Sequence, residues 1–245
     1  MTRKQIIHNC GIILFLQTAL LPKVGAAKFT LTEEEESAVS RVELAFDNKA
    51  WEQEMTEEGT KGYVNRRRQA SEAKEKYQDG KVARDVKDRS LRYSEADLGF
   101  IACLIRAAEP QPGDTLVTLG SGAGRSTLGA ATIFPGFKKC IGVEFLQPLV
   151  KLSNSYKGKV RGRKAPVEFV NADFAEYDLS SADIVFASAT YFNNGDLEAG
   201  LDSLPSGAKV MIIDKRLGGG FQLVTQVEDP SGDLVLNTGY VFEKN

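Results

Sequence analysis

Histidine is almost missing from this chain: among 245 residues there is only His8, inside an amino-terminal stretch that reads as a targeting segment. Ser-His-Asp hydrolysis and His-ligated zinc are thereby excluded from the body of the protein. Three cysteines cannot build a disulfide framework, and Cys103 and Cys140 lie in apolar runs, where a thiol behaves as a small buried hydrophobe. Neither sign of charge dominates. With 31 Lys and Arg against 33 Asp and Glu the formal charge is -2, so no global basic surplus marks a nucleic-acid binder. Glycine and proline are too sparse for a collagen-like or low-complexity chain, which leaves a globular protein with one substantial core.

The first residues have a three-part layout. Arg3 and Lys4 precede the apolar run 10–21, which is followed by Pro22 and the small residues Val24-Gly25-Ala26-Ala27. This is the form of a secretory-type signal with cleavage after Ala27, and the run is shorter than the roughly 20 residues that span a bilayer. Organelle import uses the same layout, and an uncleaved segment would tether the protein to a membrane. Removing residues 1–27 takes away Arg3, Lys4 and Lys23 and no acid, which moves the balance from -2 to -5. The expected destination is the secretory pathway or an organelle, not the nucleus.

Residues 28–92 form a charged, mainly helical segment. Thr32 before Glu33 to Glu36 caps and charges a helix start, and Val39, Val42, Leu44, Phe46 and Trp51 make a loose apolar stripe beyond it. The segment is expected to add little to a core. Arg66-Arg67-Arg68 reads as a solvated helix face in a mixed charge run rather than as an anion site.

From residue 93 to 245 the texture is that of one α/β domain, short β-branched runs alternating with helical stretches. Strands are expected at 115–119, 139–143 with Glu144 at the tip, 167–170, 183–187 and 209–213, and helices at 97–108, 126–133 and 197–204. After Gly218-Gly219-Gly220 the alternation stops, and 221–227 and 234–242 read as an antiparallel hairpin. The expected fold is a doubly wound, Rossmann-like seven-stranded sheet with this hairpin at its carboxyl end.

The chemistry is carried by the unit strand, Gly120-Ser121-Gly122-Ala123-Gly124, helix, strand, Glu144. Glycines let the backbone turn tightly and approach a ligand, and an acid some 20 residues further on, at the next strand tip, can accept both ribose hydroxyl hydrogens. A nucleoside-bearing cofactor is predicted. The dinucleotide pattern fails, because Gly124 and Thr127 follow Gly122 where that pattern wants a glycine three positions on. No Gly-Lys-Ser/Thr follows either, so a P-loop is absent. The pair Asp173-Phe174 at a later strand end suits adenine, with its donor edge and its π-face.

The compact glycine loop is similar to the cofactor loop of class I S-adenosylmethionine methyltransferases. Tyr93-Ser94-Glu95-Ala96, the helix after it, Leu119 to Gly124, Gly142-Val143-Glu144, Ala172-Asp173-Phe174 and the run 185–192 together resemble, in order and spacing, the disruptor-of-telomeric-silencing family of non-SET histone lysine methyltransferases. Leu204-Pro205-Ser206-Gly207-Ala208-Lys209-Val210 resembles a segment of mitochondrial membrane-associated protein-lysine methyltransferases.

The resemblance implies S-adenosylmethionine as cofactor. It implies that Tyr93 and Glu95 cover the methionine end, that Gly120, Ser121, Gly122 and Gly124 lie beneath, that Glu144 holds the ribose, and that Asp173 and Phe174 take the adenine. Ser188, Tyr191 and Phe192 would border the channel where the methyl acceptor enters, and aromatic faces there favour an ammonium or sulfonium cation. Two positions depart from the family: Thr118 stands where it has Asp, and Ser188-Ala189-Thr190-Tyr191-Phe192 where it has Asn-Asn-Phe-Ala-Phe. The first removes a carboxylate near the cofactor's ammonium unless Glu95 or a water compensates. The expected activity is protein-lysine methylation of a non-histone acceptor, without nucleic acid or metal, and the alternative is a module that binds the cofactor without turnover.

Overall fold

The computed structural model describes residues 26–27, 30–46, 62–78, 88–229 and 238–245. The apolar run 10–21, Trp51 and the hairpin turn lie outside them. Eight strands make one sheet: β1 (Ala26–Ala27), β2 (Thr115–Leu119), β3 (Lys139–Glu144), β4 (Val167–Asn171), β5 (Ile184–Ser188), β6 (Lys209–Ile213), β7 (Phe221–Glu228) and β8 (Thr238–Lys244). Their order across the sheet is β1-β7-β8-β6-β5-β2-β3-β4. β6, β5, β2, β3 and β4 run parallel, and β8 lies antiparallel between β6 and β7.

The seven expected strands all form, and the last is inserted between β6 and β7. The additional strand is β1, whose two residues pair with Gln226 and Val227 at the β7 edge. Cleavage after Ala27 would remove β1 and leave that edge uncovered.

The helices are α1 (Glu33–Phe46), α2 (Tyr63–Gln78), α3 (Leu98–Ala107), α4 (Arg125–Ile133), α5 (Gln147–Lys157) and α6 (Asn194–Gly200), with a 3-10 turn at Asp88–Leu91. α1 starts as its sequence dictates: the Glu35 amide donates to Thr32 Oγ1 at 3.2 Å and the Thr32 amide donates to Glu35 Oε2 at 2.8 Å, a reciprocal capping box. Asp97 caps α3, accepting from the Phe100 amide at 2.8 Å. α6 begins three residues before its expected start, because Asn193 accepts from the Gly195 amide at 2.9 Å and so sets the amino terminus. α5 is not among the expected helices; its buried face consists of Leu149, Val150, Ser153 and Tyr156, with Lys151, Asn154 and Ser155 exposed on the other side.

The sheet is buried on both faces. On one side Leu98, Phe100, Leu104, Leu128 and Tyr156 pack with Leu116 and Phe186, and on the other Leu197 and Leu201 pack with Val117, Val185 and Ile212. The expectation that residues 28–92 add little to the core is corrected. Val42 and Phe46 are 0% exposed, Phe46 stacks on Tyr156 with ring centroids 4.1 Å apart, and Ala70 and Ala73 bury against Leu146 and Leu149. The solvated reading of the Arg triplet holds for Arg67 and Arg68 but fails at Arg66, which is fully buried. Arg66, Ala70, Ala73 and Tyr77 follow one another at steps of four, three and four, which places them on one helix face. Leu44 is 83% exposed and takes no part in the stripe.

Candidate active site

At the carboxyl ends of β2, β3 and β5 the chain leaves the sheet and encloses a cleft of about 1010 Å³, its open mouth included. The crevice beyond the strand ends is where open α/β sheets place their ligands. Every predicted site residue except Gly124 lines it. Gly124 instead precedes α4 with φ +87°, where an added Cβ would stand 2.5 Å from Phe169, so its part is to let the helix start against the core.

The bend and the acid meet. Glu144 Oε2 accepts from the Gly122 amide and Oε1 from the Leu146 amide, each at 2.8 Å. Burial pushes this carboxyl above its ordinary value, with the amide donors pulling the other way. Two of its roughly four lone-pair positions are thus used by the backbone, leaving acceptor capacity for a ligand's hydroxyls. Gly120, at φ +66°, has no room for a side chain: a methyl group there would stand 2.6 Å from Phe192 Cζ. Phe192 in turn packs on Phe174, centroids 4.8 Å apart. Asp173 Oδ1 accepts from the Ala175 amide at 3.0 Å, which orients the acid-aromatic pair.

Two hydroxyls of the wall, Thr118 Oγ1 and Ser121 Oγ, have no hydrogen-bond partner, although their residues are only 2% and 7% exposed. Buried polar atoms are seldom left so, and here they lie where a polar ligand would satisfy them. Across the cleft, Ser188 ends β5 and Tyr191 follows it, with the Arg92 guanidinium 5.7 Å above the Tyr191 ring. Thr190 Oγ1 donates to Asp214 Oδ2 at 2.7 Å, which anchors the turn carrying Tyr191 and Phe192.

Glu95 does not compensate for Thr118. Arg66 donates to both of its carboxylate oxygens, from Nε at 2.6 Å and from a terminal nitrogen at 2.8 Å, the Tyr93 hydroxyl donates to Oε1, and Arg125 Nε lies 3.6 Å from Oε2. Burial pushes the Glu95 carboxyl up, but Arg66 and Arg125 prevail and hold it below the usual range. Desolvation together with the Glu95 charge raises Tyr93 well above the usual phenol value. Sequence reasoning missed Arg66 and Arg125; the only available signal was that Arg125 directly follows the glycine loop. Burial also pushes Cys103 up to about 11 and Cys140 up to about 12, in keeping with inert core thiols. Among the described residues no cluster of His, Cys, Asp or Glu could hold a metal ion, and no helix is long and apolar enough to cross a membrane.

An RNA methyltransferase from Salinibacter ruber, solved with S-adenosylhomocysteine, superimposes with a TM-score of 0.52 at 25% identity, over 62% of this chain and 94% of that one. The fold is that of the class I methyltransferases. TrmN from Thermus thermophilus shares it at 20% identity and a TM-score of 0.51 over 64% of this chain, which spans about half (51%) of the TrmN length. No family model and no curated protein matches the sequence. In methyltransferase terms the cleft occupies the switch point between β2 and β5, where the strand order reverses.

Proposed function

We propose that this chain binds S-adenosylmethionine in the cleft and transfers its methyl group to a lysine side chain of a non-histone protein. The observation that carries the reading is the 2.8 Å bond from the Gly122 amide to Glu144, because it places the glycine bend and the buried carboxylate on one wall with Asp173 and Phe174. Glu144 would take the ribose hydroxyls, Asp173 the adenine amino group and Phe174 the purine face. Tyr93 and Glu95 would cover the methionine end, and Thr118 and Ser121 offer hydroxyls to its polar groups.

When bound, the sulfonium supplies an activated methyl for in-line displacement, a reaction that needs no protein nucleophile. The chain's own contribution is alignment and exclusion of water. Tyr191 and Phe192 present aromatic faces that favour a cation, and their partial burial promotes loss of the acceptor's proton by desolvating the ammonium. Ser188 sets a hydroxyl at the same wall.

The acidic balance of the chain after residue 27 supports a protein acceptor over RNA. The signal-type amino terminus, of which only residues 26–27 are described, supports an acceptor in the secretory pathway or an organelle and hence not a histone. Thr118 favours a second reading, a module that binds the cofactor without turnover, since it replaces a carboxylate and Glu95 is already engaged by Arg66.

Calorimetry with S-adenosylmethionine and S-adenosylhomocysteine tests the shared premise. Transfer of radiolabelled methyl into protein, with RNA from the same extract as the parallel arm, then separates the readings. Label in lysine supports the proposal, label in RNA replaces the acceptor, and binding with no product in any fraction establishes the module.

A further inference from the structure

We infer that Arg66, on helix α2 and outside the methyltransferase-like core, is a positioning residue for the cleft: it holds the wall segment 92–97 in its ligand-ready form. Arg66 is 0% exposed, and all three nitrogens of its guanidinium donate to residues distant in the chain. Nε and one terminal nitrogen grip Glu95, while the other donates to the Phe46 carbonyl at 2.8 Å, at the end of α1. Its Cζ lies against the stacked pair of rings, 5.1 Å from the centroid of Phe46 and 5.7 Å from that of Tyr156. α1, α2, α5 and the wall segment therefore converge on one cation.

From Glu95 the restraint passes to the cleft. The Tyr93 hydroxyl donates to Glu95, and the Tyr93 ring lies over Gly122 so closely that a Cβ there would be 2.9 Å from it. Gly122 is the residue whose amide donates to Glu144. On the other side Arg125, at the start of α4, pairs with Glu43 of α1 and donates to the Ala96 carbonyl, closing a second restraint on the same segment. A guanidinium that grips two oxygens fixes orientation as well as distance, which an ammonium cannot do. The segment before residue 93 is in this sense part of the site.

This inference rests on the proposed cofactor, so its test has one arm that does not. Arg66→Lys keeps the charge and gives up the fork; Arg66→Gln gives up both. Amide exchange by mass spectrometry should rise at residues 92–97 in Arg66→Lys while β2 and β5 keep wild-type protection. Calorimetry should show S-adenosylhomocysteine weakened by roughly 5- to 150-fold, the range of a coupling between linked sites, with Arg66→Lys between wild type and Arg66→Gln. Wild-type exchange at 92–97 in Arg66→Lys overturns the inference, as does exchange that rises uniformly over the sheet. Unchanged affinity alongside loosened 92–97 overturns it too. Should Arg66→Gln fail to fold, Arg66→Lys decides alone. A wild-type protein that binds neither cofactor form refutes the proposed function, while the exchange arm still reports whether Arg66 orders the segment.

Discussion

Glu144 and Glu95 are both buried carboxylates at the cleft, and their surroundings push them in opposite directions. Glu144 is raised by burial and has only backbone donors, so the native state takes up a proton more readily than the unfolded chain. Its charge therefore lowers stability, and the cost grows as pH rises through the folded-state value. Glu144→Gln removes the charge but turns an amide NH2 toward one of the two backbone donors, so the melting temperature should fall, and by less as pH rises and the wild-type carboxylate ionises. It should also weaken S-adenosylhomocysteine by about 10- to 150-fold, the loss of a hydrogen bond to a charged group, as calorimetry would show. In wild type, affinity should decline on the acid side at a pH above the ordinary carboxylate range.

Glu95 behaves conversely, because Arg66 and Arg125 hold it below its ordinary value of 4.5. Its contribution is fully present above that value and is lost as pH falls through the lowered one. Thermal melts across the acid range should therefore show a steep loss of stability in wild type below pH 4.5, and a shallower one in Glu95→Gln.

At the scale of elements, local signals and packing contribute unequally. Thr32 and Glu35 close the capping box of α1, with the Glu35 carboxylate also paired to Arg106 of α3, and Thr32→Ala should cost about 1 kcal/mol, the usual value of a lost cap. Urea titration would show it as a lower midpoint at constant slope. β2 and β6 stand where their β-branched runs predict them because both are buried on two sides, which makes the apolar run continuous. α6 and α5 were less legible. The Asn193 cap moves the start of α6, and the buried face of α5 is short and carries Ser153 among Leu149, Val150 and Tyr156.

For the whole molecule, the segment before residue 88 is the decisive matter. α1 lies on α4 and α3, α2 lies on α5, and Phe46 fills a place in the main cluster beside Tyr156. A chain beginning at residue 88 would expose those faces and deprive Glu95 of Arg66, leaving it only Arg125 at 3.6 Å as a cation. We expect it to lose its cooperative thermal transition, read by circular dichroism, whereas the chain from residue 28 keeps it. Such a truncation costs far more than a surface change, since it uncovers apolar area and removes the two-oxygen partner of a buried carboxylate at once.

The sequence alone determined the strand order's raw material, the glycine bend, and the acid and aromatic residues at the strand tips. Each of those is a local statement: a β-branched run, a residue free to take positive φ, a spacing of about 20 residues. Only the tertiary structure decided that Arg66 leaves its triplet for the interior, that Glu95 is matched to it across 29 positions, and that Gly124 belongs to the helix start rather than to the cleft. Charge patterning along a chain reports how a helix meets water, but a buried ion pair is set by which surfaces the fold brings together, and no periodicity in the segment encodes its partner.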